Sequence, residues 1–198
     1  VVATKRAARE GNLDDIEVDI RERENGLQIE TDPPSGLKNV SVSFEITVPA
    51  DTSVNLHTGA GEIIVPGLEG QVMVDTGAGE IEIRDVRGSI DAHTGAGEID
   101  VRDVVGSVRL DTGAGDIDYE GWPEGECRFD TGAGSIKLRL PEDIDAELDL
   151  EVGVGDIEVD MPVEGQVSKD KVRGTLGNGG GAEIHAQSGA GDIDLLSQ

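Results

Sequence analysis

The chain has 198 residues and a net charge of −26, with 42 Asp and Glu against 16 Lys and Arg. That balance argues against nucleic acid, whose phosphates need clustered Lys and Arg, and against an anionic membrane surface, which would repel it. Cations, cationic peptides or basic proteins are the natural electrostatic partners, and the single cysteine, Cys127, excludes an intrachain disulfide.

Residues 1–50 are expected to form capping strands of the same domain, ahead of a repeat body over 51–198. Ile16–Ile20, Leu27–Glu30 and Val40–Val48 alternate apolar and polar residues, the period of a half-buried strand. Asn25-Gly26 suits a hairpin turn, and Asp32-Pro33-Pro34-Ser35-Gly36 reads as a loop. Residues 3–10 could instead form a short helix. These strands would start the stack and shield its first edge. No run is long and apolar enough to span a bilayer. Because the chain begins at Val1 rather than Met, a removed signal or anchor would not show.

Thr-Gly-Ala-Gly begins at Thr58, Thr76, Thr94 and Thr112, 18 residues apart, and again at Thr131 after 19. Val152-Gly153-Val154-Gly155 and Ser188-Gly189-Ala190-Gly191 are degenerate copies. A fixed short period predicts stacked coils that each lean on their neighbours. Each coil reads as two short strands joined by two Gly-bearing turns. Ile63, Ile81, Ile99, Ile117, Ile136, Ile157 and Ile193 form one inward column. Val65, Ile83, Val101, Tyr119, Leu138, Val159 and Leu195 form a second. The opposite strand supplies Val72 and Val74, Ile90 and Ala92, Val108 and Leu110, Cys127 and Phe129, and Leu148 and Leu150. Leu68, Val86, Val104 and Trp122 fall in a turn column. The fold expected is all-β: a single-domain β-solenoid of two-strand coils with an N-terminal β cap.

The paired glycines Gly59 and Gly61, Gly77 and Gly79, Gly95 and Gly97, Gly113 and Gly115, and Gly132 and Gly134 are expected to be structural turn residues. A reversal repeated in every coil needs positive φ or close backbone approach, which Gly permits. The preceding Thr would stack in register and share hydroxyl hydrogen bonds between coils. No C-terminal cap is apparent, so the last coil is expected to be a partner surface.

The strand Val42–Val48 leads into repeated TGAGEI coils, and Gly174–Ile184 is followed by Ser188-Gly189-Ala190-Gly191-Asp192-Ile193. On these residues the chain resembles the bacterial putative-adhesin domains of unknown function, toast-rack-like β-solenoids, from about residue 14 to the end. The resemblance implies a right-handed solenoid, secreted, periplasmic or on the cell surface, with no enzymatic activity and no catalytic residues. Related domains occur beside regulators of the cell-envelope stress response.

The acid after each TGAG forms a column of Glu62, Glu80, Glu98 and Asp116, continued by Ser135, Asp156 and Asp192. Coils stack about 4.8 Å apart, where like charges repel by roughly 1 kcal/mol per pair in water. The column therefore needs relief from salt, cations or Arg, and a divalent metal such as calcium between coils is one expectation; a solvated face is the other. Calcium-binding nonapeptide solenoids place Asp two residues beyond the second glycine and repeat the motif on both turns, unlike this chain. His57, Asp75, His93, Asp111 and Asp130 form a further column, read either as a hydrogen-bonded ladder or as a transition-metal site.

Enzyme readings fail on pattern. The GAG turns join strand to strand, whereas phosphate loops need a helix behind the glycines. No nucleophile elbow or zinc-type Cys/His cluster is present. A Thr ladder at one turn also lacks the paired columns of an ice-binding face. The function expected is a non-enzymatic, cell-envelope or secreted binding or scaffold module of adhesin type, meeting an unknown protein, peptide or cell-surface ligand. Two alternatives are a divalent-cation-stabilised adhesin and an envelope-stress sensor that attracts cationic peptides.

Overall fold

A computed structural model describes residues 1–7, 17–23, 26–32 and 40–198. The chain forms two compact units, Val1–Val48 and Pro49–Gln198. In the first, β1 (Val2–Ala7) and β4 (Val40–Glu45) pair antiparallel, as do β2 (Glu17–Arg23) and β3 (Gly26–Asp32). Residues 3–7 thus extend as strand rather than helix; residues 8–10 and the expected loop at 33–36 lie outside the described residues.

The second unit begins with β5 (Val54–Thr58), β6 (Ile63–Glu69), β7 (Val72–Thr76), β8 (Ile81–Arg87), β9 (Ile90–Thr94) and β10 (Ile99–Gly106). It continues through β11 (Val108–Thr112), β12 (Ile117–Pro123), β13 (Glu126–Thr131), β14 (Ile136–Leu140) and β15 (Ala146–Val152). The last strands are β16 (Ile157–Val159), β17 (Glu164–Val167), β18 (Lys171–Leu176), β19 (Ala182–Ser188) and β20 (Ile193–Ser197). Odd-numbered strands from β5 to β13 stack in parallel on one sheet, and even-numbered strands from β6 to β14 on the other. The described residues contain no helix, and the architecture is an all-β solenoid.

Strict alternation puts one side chain in two into the core. Ile81, Ile83, Ile99, Val101, Leu110, Ile136 and Leu138 are fully buried, as the column reading requires. Rungs align in register, Ile99 against Ile81 and Ile117, Leu110 against Ala92 and Phe129. Strands β6, β8 and β10 each run on past a residue in left-handed conformation: Gly67 (φ 67°), Asp85 (φ 54°) and Asp103 (φ 55°). Where the second Gly-bearing turn of this coil is expected, over Asp85-Val86-Arg87-Gly88, the first three residues instead continue β8 through a bend.

Two departures from the columns have a clear cause. Strand β12 lacks the extra residue that Asp103 supplies to β10, so Val104 faces Gly121 and Trp122 lies beside Val105. Trp122 is consequently half exposed instead of filling the turn column. The Tyr119 ring takes up that space, its hydroxyl lying 3.0 Å from where a Gly121 Cβ would stand. Tyr119 also packs on Phe129, ring centroids 5.1 Å apart at 57°. The Tyr119 hydroxyl is buried without a hydrogen-bond partner. An unmade buried bond costs about 1–3 kcal/mol, so Tyr119→Phe should leave the denaturation midpoint unchanged or raise it. A clear loss in a urea titration would mean that the hydroxyl is partnered.

The second departure concerns coil order. One sheet runs β6-β8-β10-β12-β14-β20-β16 and the other β5-β7-β9-β11-β13-β19-β15-β18-β17. The coil of β19 and β20, last in sequence, lies between the coil of β13 and β14 and the coil of β15 and β16. The inward Ile column therefore runs Ile136, Ile193, Ile157. Beyond it, β15 pairs antiparallel with β18, which pairs with β17. Val172, Leu176 and Met161 are buried there, and the backbone N–H groups of Val152 and Ile157 donate to the Asp170 and Lys169 carbonyls. This hairpin closes the far end of the stack, correcting the expectation of an uncapped final coil.

Candidate functional site

The TGAG turns form one long edge of the repeat unit. Thr76, Thr94, Thr112, Thr131 and Ser188 point inward and are buried. The hydroxyls of Thr94, Thr112, Thr131 and Ser188 donate to the carbonyls of Gly79, Gly97, Gly115 and Gly134 in the adjacent coil, at 2.8–3.1 Å. A buried Thr ladder cannot present itself to ice. Gly115 adopts φ 153°, and a Cβ there would collide with the Gly97 carbonyl. A Cβ on Gly113 would stand 2.6 Å from the Gly95 carbonyl. The pairs from Gly77 and Gly79 through Gly132 and Gly134 repeat this crowding, whereas Gly59 and Gly61 in the first coil have open space.

The acids on this edge run in spatial order Glu62, Glu80, Glu98, Asp116, Ser135, Asp192, Asp156. Short members are tied down. The Asp116 carboxylate accepts the Ser135 N–H at 2.7 Å, and Asp192 accepts the Asp156 N–H at 2.9 Å. Glu62, Glu80 and Glu98 are exposed. A second acidic row lies two residues on, where Asp100 aligns with Glu82 and Asp118. This row was legible only as the recurring acid-Ile-acid pattern of GEIE, GEID and GDID. Arg84, Arg102 and Arg139 pair with Glu82, Asp100 and Asp118.

Proton affinity is raised at two carboxyls of this strip, Glu98 and Asp100. Partial burial raises the Glu98 carboxyl above its ordinary range, helped by Glu80, Asp100, Asp116 and Asp118. Burial also raises Asp100, against the pull of Arg102, and one Asp100 oxygen is buried without a partner. Carboxylates raised in the folded state bind more protons there than when unfolded, between the ordinary value near 4 and the raised one. Stability should therefore increase as pH falls from 7 through that window. Glu98→Gln should raise the melting midpoint slightly at pH 7, with the gain shrinking as the pH falls toward the ordinary carboxylate range. A gain that grows on acidification would contradict this origin. Among the described residues, no three His, Cys, Asp or Glu side chains converge into a metal cradle.

The outer face of the nine-stranded sheet is chemically different. His57 lies 3.5 Å from Asp75 and His93 2.9 Å from Asp111, so the alternating column resolves into cross-coil pairs. Beyond Asp130 the row continues to Gln187 and Glu151, through the inserted coil. A parallel row runs Asn55, Met73, Asp91, Arg109, Arg128, His185, Asp149 and Arg173. Arg173 holds Asp149 with two bonds of 3.0 Å, which lowers the Asp149 carboxyl below its usual range. Arg109 is exposed and has no ion pair among the described residues. It borders a shallow open depression with Gln71, Ser89, Asp91, Ser107 and Glu126. Sequence reasoning missed this polar patch because its members come from successive coils and share no motif.

Cys127 is buried, and burial pushes its thiol up, which makes it a packing residue. No helix among the described residues is long and apolar enough to cross a membrane.

A family model described as Toastrack DUF4097 matches residues 14–196, and the chain belongs to that family. A solved structure of a putative cell adhesion protein from Clostridium sporogenes ATCC 15579 is similar at 15% identity, covering 92% of this chain and 76% of that one, with a TM-score of 0.44. No curated protein matches the sequence.

Proposed function

We propose that this Toastrack-family chain is a non-enzymatic binding or scaffold module acting outside the cytoplasm, as a secreted or cell-envelope protein. The observation that carries this reading is the outer face of the nine-stranded sheet. There, in-register strands present rows of mostly polar side chains about 4.8 Å apart, with Arg109 and Arg128 side by side. A ligand with its own repeat could engage several coils at once and gain avidity without a deep pocket. Hydroxyl, amide, carboxylate and guanidinium groups around the depression suit a polar polymer or an extended peptide.

The test is surface plasmon resonance on the immobilised chain with a neutral glycan, an anionic glycan and a poly-lysine peptide. Saturable binding to a polymer, tightening with its length, supports the reading. Binding to poly-lysine alone, lost at high salt, would shift it toward an envelope sensor of cationic peptides. Turnover of any of these ligands would overturn it.

A second reading is favoured by the stacked, exposed carboxylates of Glu62, Glu80 and Glu98, which have no ion pair among the described residues. Here divalent cations, calcium among them, settle along Glu62, Glu80, Glu98 and Asp116 and stabilise an adhesin. Calcium should then raise the melting midpoint beyond sodium chloride at matched ionic strength, and Glu98→Gln should reduce the excess. Equal shifts would mean screening alone.

A further inference from the structure

The out-of-order coil has a consequence for how two copies of this chain can meet. Strand β19 pairs in parallel with β13 on one side and β15 on the other, and β20 pairs likewise with β14 and β16. Ala186 thus stands between Phe129 and Leu150, and Ile193 between Ile136 and Ile157. Without this coil the stack would have a gap one coil wide, open on both sheets and lined by buried apolar side chains, Phe129, Leu150, Ile136 and Ile157 among them.

The coil is delivered by Gly177-Asn178-Gly179-Gly180-Gly181. Leu176 and Ala182 both pair with Ala146, so the tract passes around the start of β15 at Asp145. Gly177, Gly179 and Gly180 have φ of 60°, 70° and 76°, which glycine adopts without strain. Asp145 clasps the tract: its carboxylate accepts the Asn178 N–H at 2.7 Å and its carbonyl the Ala182 N–H at 3.1 Å.

We propose that the coil at residues 182–197 is exchangeable, and that the gap it fills accepts the same coil from a second copy of this chain. The occupant is specified by the pairing itself. Every rung between the coil and its neighbours re-forms unchanged when the coil comes from another copy. The balance is then set by the tract, the Asp145 clasp and protein concentration. Extended, five residues span roughly 17 Å, enough to carry the coil out of its own stack. The exchanged dimer would carry two copies of the nine-stranded face, but the inference does not depend on that face binding anything.

The test uses the full chain, unfolded in guanidinium and refolded over about a hundredfold range of concentration. Mass is read by light scattering. A dimer fraction that grows severalfold with concentration is expected, and more so in Asp145→Ala, which releases the clasp. Deletion of residues 178–180 should favour dimers further. The two residues left must pass around β15 between strands roughly 10 Å apart. To identify the exchanged element, Arg128→Cys/His185→Cys places thiols on facing residues of β13 and β19. Oxidation after refolding at high concentration should give covalent dimers on a non-reducing gel. Monomers throughout, in the wild type and both tract variants with native circular dichroism, would overturn the proposal. So would dimers in which these cysteines do not link two chains.

Discussion

A Gly115→Ala chain is expected to lose about 4 kcal/mol or more of stability, and to fall short of complete folding at physiological temperature. The loss has two sources at one atom. Gly115 sits at φ 153°, a conformation L side chains rarely adopt, and its added methyl would be driven into the Gly97 carbonyl of the neighbouring coil. Neither can relax locally. The Gly115 N–H is bonded to the Ala133 carbonyl and the Gly97 N–H to the Ala114 carbonyl, each at 2.9 Å, so moving one turn displaces the next. Ala114→Ser, on the exposed residue between the two glycines, should cost little. Gly61→Ala in the first coil tests the split, because it keeps the positive φ (132°) but has open space around its Cβ. Its loss should be smaller. Urea titrations of the three variants check the order, and equal losses at Gly115 and Gly61 would refute the packing argument.

Phe129→Ala should cost about 3–5 kcal/mol. Phe129 is fully buried between Leu110 and Ala186 in register and packs its ring on Tyr119. Tyr119 and Leu110 are held by their own in-register rungs, so neither can move far into the space without leaving a gap of its own. The inserted coil would be affected first, because Ala186 is the smallest partner on that rung and Phe129 fills the space beside it. Hydrogen exchange should therefore show protection lost in residues 182–188 before residues 90–94. Uniform loss across both would indicate that the coils unfold as one unit.

Much of the core was legible because it rests on two periods, two along a strand and 18 along the chain. Ile81, Ile83, Ile99 and Leu110 were assigned inward on alternation alone, and all are fully buried. That the Thr hydroxyls bond between coils also followed from their register; that glycine carbonyls accept them did not. Less legible was anything set by a single inserted or missing residue. Trp122 falls in its column when counted by 18, but the absent counterpart of Asp103 shifts it out to solvent. The order of the last coils was hidden for a different reason. Val152-Gly153-Val154-Gly155 and Ser188-Gly189-Ala190-Gly191 satisfy the same columns, so apolar pattern cannot tell which one stacks on Thr131. The wide spacing from Val152 to Ser188 was the available hint, since it leaves room for the closing hairpin.

The candidate surfaces were legible in the same uneven way. The Glu62 to Asp116 column follows one motif position and could be read directly. Its shorter members accept backbone N–H groups of the next coil, which required coordinates to see. Arg109 and the depression beside it combine residues from several coils and both strand and turn positions. Their common surface exists only once the register is known.

The central claim is that the nine-stranded face is the binding surface, and a pair of charge reversals addresses it most directly. Arg109→Glu lies on that face and Arg87→Glu at the end of β8 on the other sheet; both arginines are exposed and lack an ion pair among the described residues. Net charge changes equally in the two variants, so long-range electrostatics cancel in the comparison. With the polymer that binds the wild-type chain, Arg109→Glu should weaken binding about tenfold or more, while Arg87→Glu stays within about twofold. Equal weakening, or loss only in Arg87→Glu, would contradict the account.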